Sequence, residues 1–406
     1  MQVKRRRLLH VQGYDPHGVA EYHERFEREH RRTCELYGLT GEVGAPKEAR
    51  DGLSASWDVS TKGDSWQVAT RYTLLRWDDL VRKDMERAPW WKIVQMYRTV
   101  GVSILNGAFG RMLRANWHYA LVVIAPILLI TVWVLLGSFV GILCMNLVAA
   151  LGAPEIVART VGLITGFGAF ASILWLTEPI TGLLLRCDEV GSIDQFVGGK
   201  RPDWSERLDA FARDVVDAAQ EPKSDELIVV GHGFGAVLAI NVLGRALSRD
   251  GGLGSHGARV ALLTLGASLP AVGFNPEAKG FRNRLRQLAT ASDVDWIDAQ
   301  SRDDILSFAP FDPIAGHGIA LDAPRRNPQV MTIRFRDLWA DGSVLRRLRV
   351  AKAHAQYLMA NERRGCPYDY TMICCGPLDL ATRAAWPQQA EAALTGQFEP
   401  DSASGR

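Results

Sequence analysis

The chain has 406 residues, of which 47 are Lys or Arg, 45 are Asp or Glu, and 47% are hydrophobic. A net charge of +2 leaves no excess of positive charge to neutralise phosphates, so no nucleic-acid partner is expected. The apolar fraction excludes a disordered chain, and the length allows two or three domains or one large α/β domain with insertions. The charge is unevenly distributed, because residues 115–154 contain no Asp, Glu, Lys or Arg. We therefore expect a soluble body that contains a membrane segment.

The six cysteines have no CxxC spacing, which predicts neither a zinc site nor a disulfide framework. This usage is typical of a reducing compartment. The basic N-terminus is followed by an apolar run too short for a secretory signal. We expect no metal and no cofactor.

The N-terminal region alternates between strand-like and helix-like patterns. Residues 4–11 predict a strand, Val19–Tyr37 a charged surface helix, and Ser54–Ser60 with Trp66–Leu75 a β-hairpin. A charged segment, residues 77–87, then leads into an amphipathic stretch that ends at the uncharged region.

The uncharged region predicts two membrane-spanning helices. Trp117–Ala150 is longer than the roughly 20 apolar residues that cross a bilayer, and Thr160–Thr177 is a second uncharged stretch. We place the spans at roughly 119–142 and 157–178, with Trp117 and Tyr119 as interfacial aromatic residues. The alternative is a buried helical pair in a soluble protein, but buried helices rarely stay uncharged for so long.

Flanking charges predict the orientation of this pair. The loop between the two spans has one basic residue, Arg159. The outer flanks of the spans have five, namely Arg111, Arg114, Arg186, Lys200 and Arg201. The positive-inside rule therefore places both termini in the cytoplasm.

The region after the spans predicts a parallel sheet. A helix is expected behind Asp203 as N-cap, with apolar residues at helical spacing. The further elements are a strand at Leu227–Val230, a helix at Ala236–Leu247, and strands at Arg259–Leu265 and Val294–Ile297. Strands that alternate with helices are typical of a mostly parallel sheet covered by helices on both faces.

One motif lies between a strand and a helix, at Gly231–Gly235 with the sequence GHGFG. A G-x-nucleophile-x-G motif between a strand and a helix is typical of a nucleophile elbow. The small residues of the motif allow the strand and the helix to pack closely there. A dinucleotide or P-loop site is disfavoured, since the GK[ST] ending and the G-x-G-x-x-G spacing are both missing. The segment resembles the elbow of the α/β-hydrolase superfamily, where VVGHSxGA is a common form. Here the central residue is Gly233 instead of serine.

The resemblance implies an acid and a histidine further along the chain. The stretch VDWIDAQSRDDILSF is similar to the segment that carries the acid, which we assign to Asp304 with Asp303 as the alternative. His354 is the expected triad histidine and His317 its competitor. His232, beside the elbow, is expected to be structural.

The resemblance also implies an oxyanion hole. The backbone N–H of Phe234 would be one donor. The N-terminal stretch HVQGYDP resembles the loop that supplies the second, near Gly13 or Tyr14, although Gln12 stands where histidine is usual.

The stretch H-x-Q-Y-L at His354 resembles a group of bacterial membrane-anchored hydrolase-fold proteins of unassigned function, in which a transmembrane pair interrupts the fold. This implies an α/β-hydrolase-like fold made of residues 1–114 and 187–398, a transmembrane hairpin at 115–186, and a disordered tail at 399–406. It also implies a location in the inner (cytoplasmic) membrane.

Glycine at position 233 leaves no nucleophile for acyl transfer. The expected function is therefore that of a non-catalytic or very weak serine-hydrolase homologue that binds an acyl-ester or lipid-like ligand at the bilayer. The alternative is an esterase-like hydrolase in which His354 and Asp304 activate water. A transporter is disfavoured because the second span has only one ionisable residue near its end, Glu178. The oligomeric state is not indicated.

Overall fold

In the computed structural model the chain forms a mixed sheet with helices on both faces. The structure describes residues 2–222, 224–340, 350–366 and 368–385. The strands in these ranges are β1 (Arg5–Val11), β2 (Thr40–Val43), β3 (Lys47–Glu48), β4 (Ser54–Lys62), β5 (Gln67–Leu75), β6 (Glu226–His232), β7 (Arg259–Leu265), β8 (Val294–Ser301) and β9 (Gln329–Ile333).

Helices connect these strands and form the long insertion between β5 and β6. They are α1 (Val19–Tyr37), α2 (Asp78–Met85), α3 (Pro89–Leu105), α4 (Ala108–Ala115), α5 (Trp117–Ala150), α6 (Glu155–Thr181), α7 (Leu183–Val197), α8 (Pro202–Ala219), α9 (Phe234–Arg249), α10 (Leu269–Gly273), α11 (Lys279–Thr290), α12 (Phe335–Leu338), α13 (Val350–Ala355), α14 (Tyr370–Cys375) and α15 (Leu380–Ala385).

The sheet order is β2-β4-β5-β1-β6-β7-β8-β9, with β3 also paired to β4. The strands β5, β1, β6, β7, β8 and β9 are mutually parallel, and β4 pairs antiparallel with its three partners, β2, β3 and β5, at the other edge. The predicted mostly parallel α/β class is thus confirmed. Because β1 lies between β5 and β6, the segments before and after the long insertion build one sheet.

Alternating residues of the central strands pack on opposite faces, as the two-residue period of a strand requires. Leu9 and Val229 belong to a core on the face covered by α8, α9 and α11. Leu8 and Ile228 belong to a second core under α1 and the C-terminal helices. Both faces are therefore apolar, which explains why the parallel strands read as continuous hydrophobic runs.

Several predicted elements lie where the sequence placed them, including α1 and the β4–β5 hairpin. The N-cap prediction at Asp203 is wrong. The helix begins at Pro202 with Arg201 in the cap position, and the Asp203 carboxylate instead accepts two hydrogen bonds from the Arg201 guanidinium, at 2.9 and 2.8 Å. Strand β8 also extends beyond the predicted Ile297, to Ser301. The predicted tail, 399–406, lies outside the described residues.

The two long uncharged helices, α5 and α6, form a pair that we call the apolar hairpin. Both are long and apolar enough to cross a membrane, and only 28% and 11% of their apolar windows are buried inside the protein. Leu135 and Phe167 are 63% and 72% exposed. This exposure argues against the buried helical pair considered as the alternative.

Glycines hold the apolar hairpin together. Gly141 of α5 approaches α6 so closely that a Cβ atom there would lie 2.5 Å from the carbonyl oxygen of Gly162. One turn away, a Cβ on Gly137 would lie 2.8 Å from the Gly166 carbonyl oxygen. Small residues four apart on both helices allow this close approach.

Candidate functional site

The candidate site lies at the carboxyl edge of the parallel strands. Strand register aligns Val11 with Gly231, and His232 with Leu265, so that β1, β6 and β7 end side by side. The loops after these strands and after β8 therefore converge. They carry the predicted residues Gly13, Gly233 and Asp304.

Gly233 forms a sharp turn between β6 and α9. Its backbone has φ 57° and ψ −118°, a conformation that L-residues rarely adopt. The turn is fixed by its neighbour strand, since Gly233 N–H donates to the Leu265 carbonyl at 2.9 Å and Ser268 N–H donates to the Gly233 carbonyl at 3.2 Å. A Cβ on Gly231 would lie 2.6 Å from the nitrogen of Ala236, so glycine is required there for strand and helix to pack.

Asp304 and His354 are paired, as predicted. His354 Nδ1 lies 2.8 Å from Asp304 Oδ2, and the other carboxylate oxygen accepts the N–H of Leu306 at 2.9 Å. The Asp304 carboxylate is fully buried, so it fixes the ring orientation. Because Nδ1 donates to a carboxylate, the neutral ring has its lone pair on Nε2.

The two competing residues lie elsewhere. The Asp303 carboxylate accepts the backbone N–H of Phe335 at 3.0 Å. His317 donates from Nδ1 to the Pro313 carbonyl at 2.6 Å and packs against Phe311. Of the alternatives left open by the sequence, the structure brings Asp304 and His354 to the elbow.

His354 Nε2 points at Gly233. A Cβ atom built on Gly233 would lie 2.8 Å from Nε2 and 3.4 Å from Cε1 of His354. Apart from the chain neighbours of Gly233, these are the two atoms of the described chain within 4 Å of that position. A histidine nitrogen paired through its ring to a buried carboxylate thus faces the position from which a side chain at residue 233 would project.

His232 has a supporting position. Its Nε2–H donates to the backbone carbonyl of His354 at 2.9 Å, and the two ring centroids are 4.2 Å apart. Burial, with a smaller contribution from His354, lowers the pKa of His232 well below its ordinary value. A neutral His232 therefore braces the segment that carries His354.

Backbone amides lie beside the elbow. Phe234 is the first residue of α9, so its N–H has no acceptor within the helix. The loop after β1 packs against this helix start, since a Cβ on Gly235 would lie 3.2 Å from the nitrogen of Gly13. The Tyr14 side chain points away and donates to Asp84 at 3.1 Å.

Gln12 stands at the position where the resembled loop usually has histidine, and its side chain anchors the loop after β1. Its amide group donates to the carbonyls of Asp15 and His17, at 3.1 and 2.7 Å. Its carbonyl accepts the N–H groups of Trp77 and Asp78, at 2.8 and 3.2 Å. This buried side chain ties the loop to the end of β5, a role that its sequence position did not reveal.

A cavity of about 180 Å³ opens beside the site. Phe234, Ser268 and His354 line its end at the elbow, and residues of α3, α5 and α7 form the rest of its wall. Tyr119, predicted as an interfacial aromatic residue, faces this cavity and packs on Phe308, whereas Trp117 is 55% exposed.

Asn116 connects the apolar hairpin to the acid loop. Its side-chain oxygen caps α5 by accepting the N–H groups of His118 and Tyr119, at 3.0 and 3.2 Å. Its amide nitrogen donates to the carbonyl of Ser307 at 2.5 Å, in the loop that begins at Asp304. An asparagine before an apolar run is an N-cap signal, but its second contact depends on the tertiary structure.

No three His, Cys, Asp or Glu side chains of the described ranges are close enough to hold a metal ion. Comparisons of the chain with protein-family models, curated proteins and solved structures give no match. The site itself offers a base oriented by a carboxylate, free amide donors and an apolar cavity. It lacks an oxygen or sulfur nucleophile at the elbow.

Proposed function

We propose that this chain is a membrane-anchored protein of the α/β-hydrolase type that has lost its nucleophile and binds an acyl-ester or lipid-like ligand. The main support is the line from Asp304 through His354 to Gly233, with Nε2 2.8 Å from the position of a Cβ atom. Covalent acyl transfer needs a side-chain nucleophile at that point, and glycine has none.

Membrane anchoring is supported by the exposure of the apolar hairpin and by the sheet. Both halves of the body share one sheet, so a hairpin that crosses twice leaves them on the same side. The basic flanks, with Arg111 and Arg186 as examples, favour the cytoplasmic side and, by the bacterial resemblance, the inner membrane.

The test is to restore the nucleophile. A Cβ 2.8 Å from His354 Nε2 is too close, so the ring must move back by a few tenths of an ångström in a Gly233→Ser variant. With that shift Oγ would lie beside Nε2, and we expect the variant to gain hydrolysis of short acyl esters and labelling by a serine-reactive phosphonate. Gly233→Ala is the matched control, since it adds the same Cβ without a hydroxyl. Both variants should lose about 1–3 kcal/mol of unfolding free energy from the positive φ. Gly233→Ser with His354→Ala should be inactive.

Two results would contradict the proposal. One is robust, phosphonate-sensitive esterase activity in the native chain. The other is a folded Gly233→Ser variant that neither hydrolyses esters nor reacts with the phosphonate, which would remove the support for the roles of Asp304 and His354.

A second candidate function is slow hydrolysis by activated water. The Cβ position itself is one bond length from Gly233 Cα, so a water would sit further out, where a serine Oγ would lie, and donate a hydrogen bond to His354 Nε2. The N–H of Phe234 would stabilise the oxyanion. Serine proteases without a triad member keep roughly 10³–10⁴-fold acceleration over water, so such an activity would be weak. It predicts native-chain hydrolysis that resists phosphonate and disappears in His354→Ala.

A further inference from the structure

We infer that the ligand of this site is a single-chain amphiphile, whose acyl chain occupies the cavity between the elbow and the apolar hairpin. This inference rests on the proposed function, since it assigns the ligand class of the same site. It is carried by the wall of the cavity, by its size and by its continuity with the surface of α5.

One wall is a continuous face of the first apolar helix. Tyr119, Val122, Val123 and Pro126 of α5 line the cavity at positions i, i+3, i+4 and i+7. Across from them, α7 contributes Val190, Ile193 and Val197 at i, i+3 and i+7. An unbranched hydrocarbon chain lying between two such apolar faces needs no hydrogen-bond partner along its length.

Polar side chains line several parts of the cavity, Asp194 of α7 among them, and those beside the elbow mark one of its ends. His354, Ser268 and the start of α9 at Phe234 are positioned to meet an acyl carbonyl. On α7, Arg186 and Glu189 also line the cavity but pair with each other at 2.8 Å, so neither is an uncompensated charge facing the chain. The carbonyl therefore belongs at the elbow and the chain extends from it along α5.

The size of the cavity favours one chain. Its volume, about 180 Å³, is below the roughly 300–1,000 Å³ of sites for drug-sized molecules. A second acyl chain therefore does not fit, and of one long chain only the part nearest the carbonyl lies inside, while the remainder extends along α5.

Lipid can reach this cavity along α5. The helix that forms its wall also carries exposed leucines, such as Leu121 and Leu128, at 47% and 53% exposure. The surface in contact with lipid is thus continuous with the helix that lines the site.

The test uses the full chain in nanodiscs of dioleoyl phosphatidylcholine, with fluorescent palmitate as the probe. We expect saturable binding that unlabelled palmitate or palmitoyl lysophosphatidylcholine displaces. Val123→Phe, which fills the cavity, should weaken binding at least about ten-fold, because excluding about two methylene groups suffices for that loss. Val132→Phe is the matched control on the same helix, since Val132 is 49% exposed and does not line the cavity. Its affinity should match that of the native chain.

If palmitate displaces the probe and the lysophospholipid does not, the polar head of the ligand is a free carboxylate. If both displace it, binding depends on the acyl chain that they share. No saturable binding, or equal weakening in both variants, would overturn the inference. A second assay separates this failure from that of the proposed function. In the Gly233→Ser background, Val123→Phe should abolish hydrolysis of palmitoyl esters and keep that of butyryl esters. An unchanged chain-length preference would refute the cavity assignment and leave the proposed function intact.

Discussion

The α/β body and the apolar hairpin are held together by opposite means. In the body, large apolar side chains are buried on both faces of a parallel sheet, for example Trp204 and Trp296. In the hairpin, large side chains such as Trp175 face outward, and glycines make the contact between helices. The body is therefore stabilised by removing apolar surface from water, whereas the hairpin depends on close backbone packing and needs an apolar solvent around it.

A buried charged network around Asp84 ties the segments that precede and follow the apolar hairpin to the body. The Asp84 carboxylate binds Arg201 at 2.9 Å, Arg87 at 2.5 Å, and the hydroxyl of Ser192 at 2.9 Å. It also accepts the hydroxyl of Tyr14, from the loop beside the elbow. Residues from before the hairpin, after it and at the site thus depend on one carboxylate.

The largest expected effect is the loss of this junction. Asp84→Ala should lower the unfolding free energy by about 3–5 kcal/mol, because Arg87, Arg201, Ser192 and Tyr14 lose one shared buried acceptor, although Arg201 keeps its pair with Asp203. Asp79→Ala is the matched control on the same helix. The Asp79 side chain is 49% exposed and pairs with Arg207, so its loss should cost about 1 kcal/mol or less. Denaturant unfolding of both variants in micelles measures the difference, and equal costs would show that the network does not stabilise the segments around the hairpin.

A smaller effect is expected within the apolar hairpin. Gly141→Leu should destabilise the helix pair by about 1–3 kcal/mol, because the new side chain would meet the Gly162 carbonyl and not a movable side chain. Gly168→Leu is the control, since a Cβ there has no atom within 4 Å. Unfolding in mixed micelles should separate the two variants. If both behave alike, close glycine packing does not hold the hairpin.

The smallest effect is a pH dependence that belongs to the body alone. Burial lowers the pKa of His10 to about 3, so the folded protein keeps this ring neutral while the unfolded chain takes up a proton below about pH 6.5. The free energy of unfolding therefore decreases as the pH falls below that value. The decrease between pH 7 and pH 5 is about 2 kcal/mol. His10→Gln should make the melting temperature less dependent on pH in this range without abolishing the dependence, because burial also lowers the pKa of His30, to about 4, and of His232. A dependence unaffected by His10→Gln would disprove the assignment.

Local patterns were enough to predict much of the fold. Helix α1, the β4–β5 hairpin and strand β7 lie where periodicity placed them, because their own apolar spacing specifies them. The N-cap at Asp203 was wrong because Pro202 is the better first helical residue, and the carboxylate is drawn to Arg201 instead. Both competing residues are sequence neighbours of Asp203, so this error arose from the weighting of local signals and not from a distant contact.

The candidate site was predictable to a smaller extent. The glycines Gly231 and Gly235, between a strand pattern and a helix pattern, are enough to predict a tight turn at the elbow from the sequence. Asp304 and Asp303 are adjacent and chemically alike, and only the direction of β8 and its loop turns Asp304 to His354. The roles of Gln12 and Asn116 depend on contacts with segments far away along the chain.

By itself, the sequence determined the alternation of strands and helices, the uncharged hairpin and the glycine-rich turn at Gly233, because spacing and residue type are local properties. The tertiary structure decided which carboxylate meets His354, that His354 points at the elbow, and that α5 forms a wall of the cavity. These outcomes arise where strand ends, loops and helices distant in sequence pack together, and their geometry is fixed by the shared core and the buried charges rather than by any single segment.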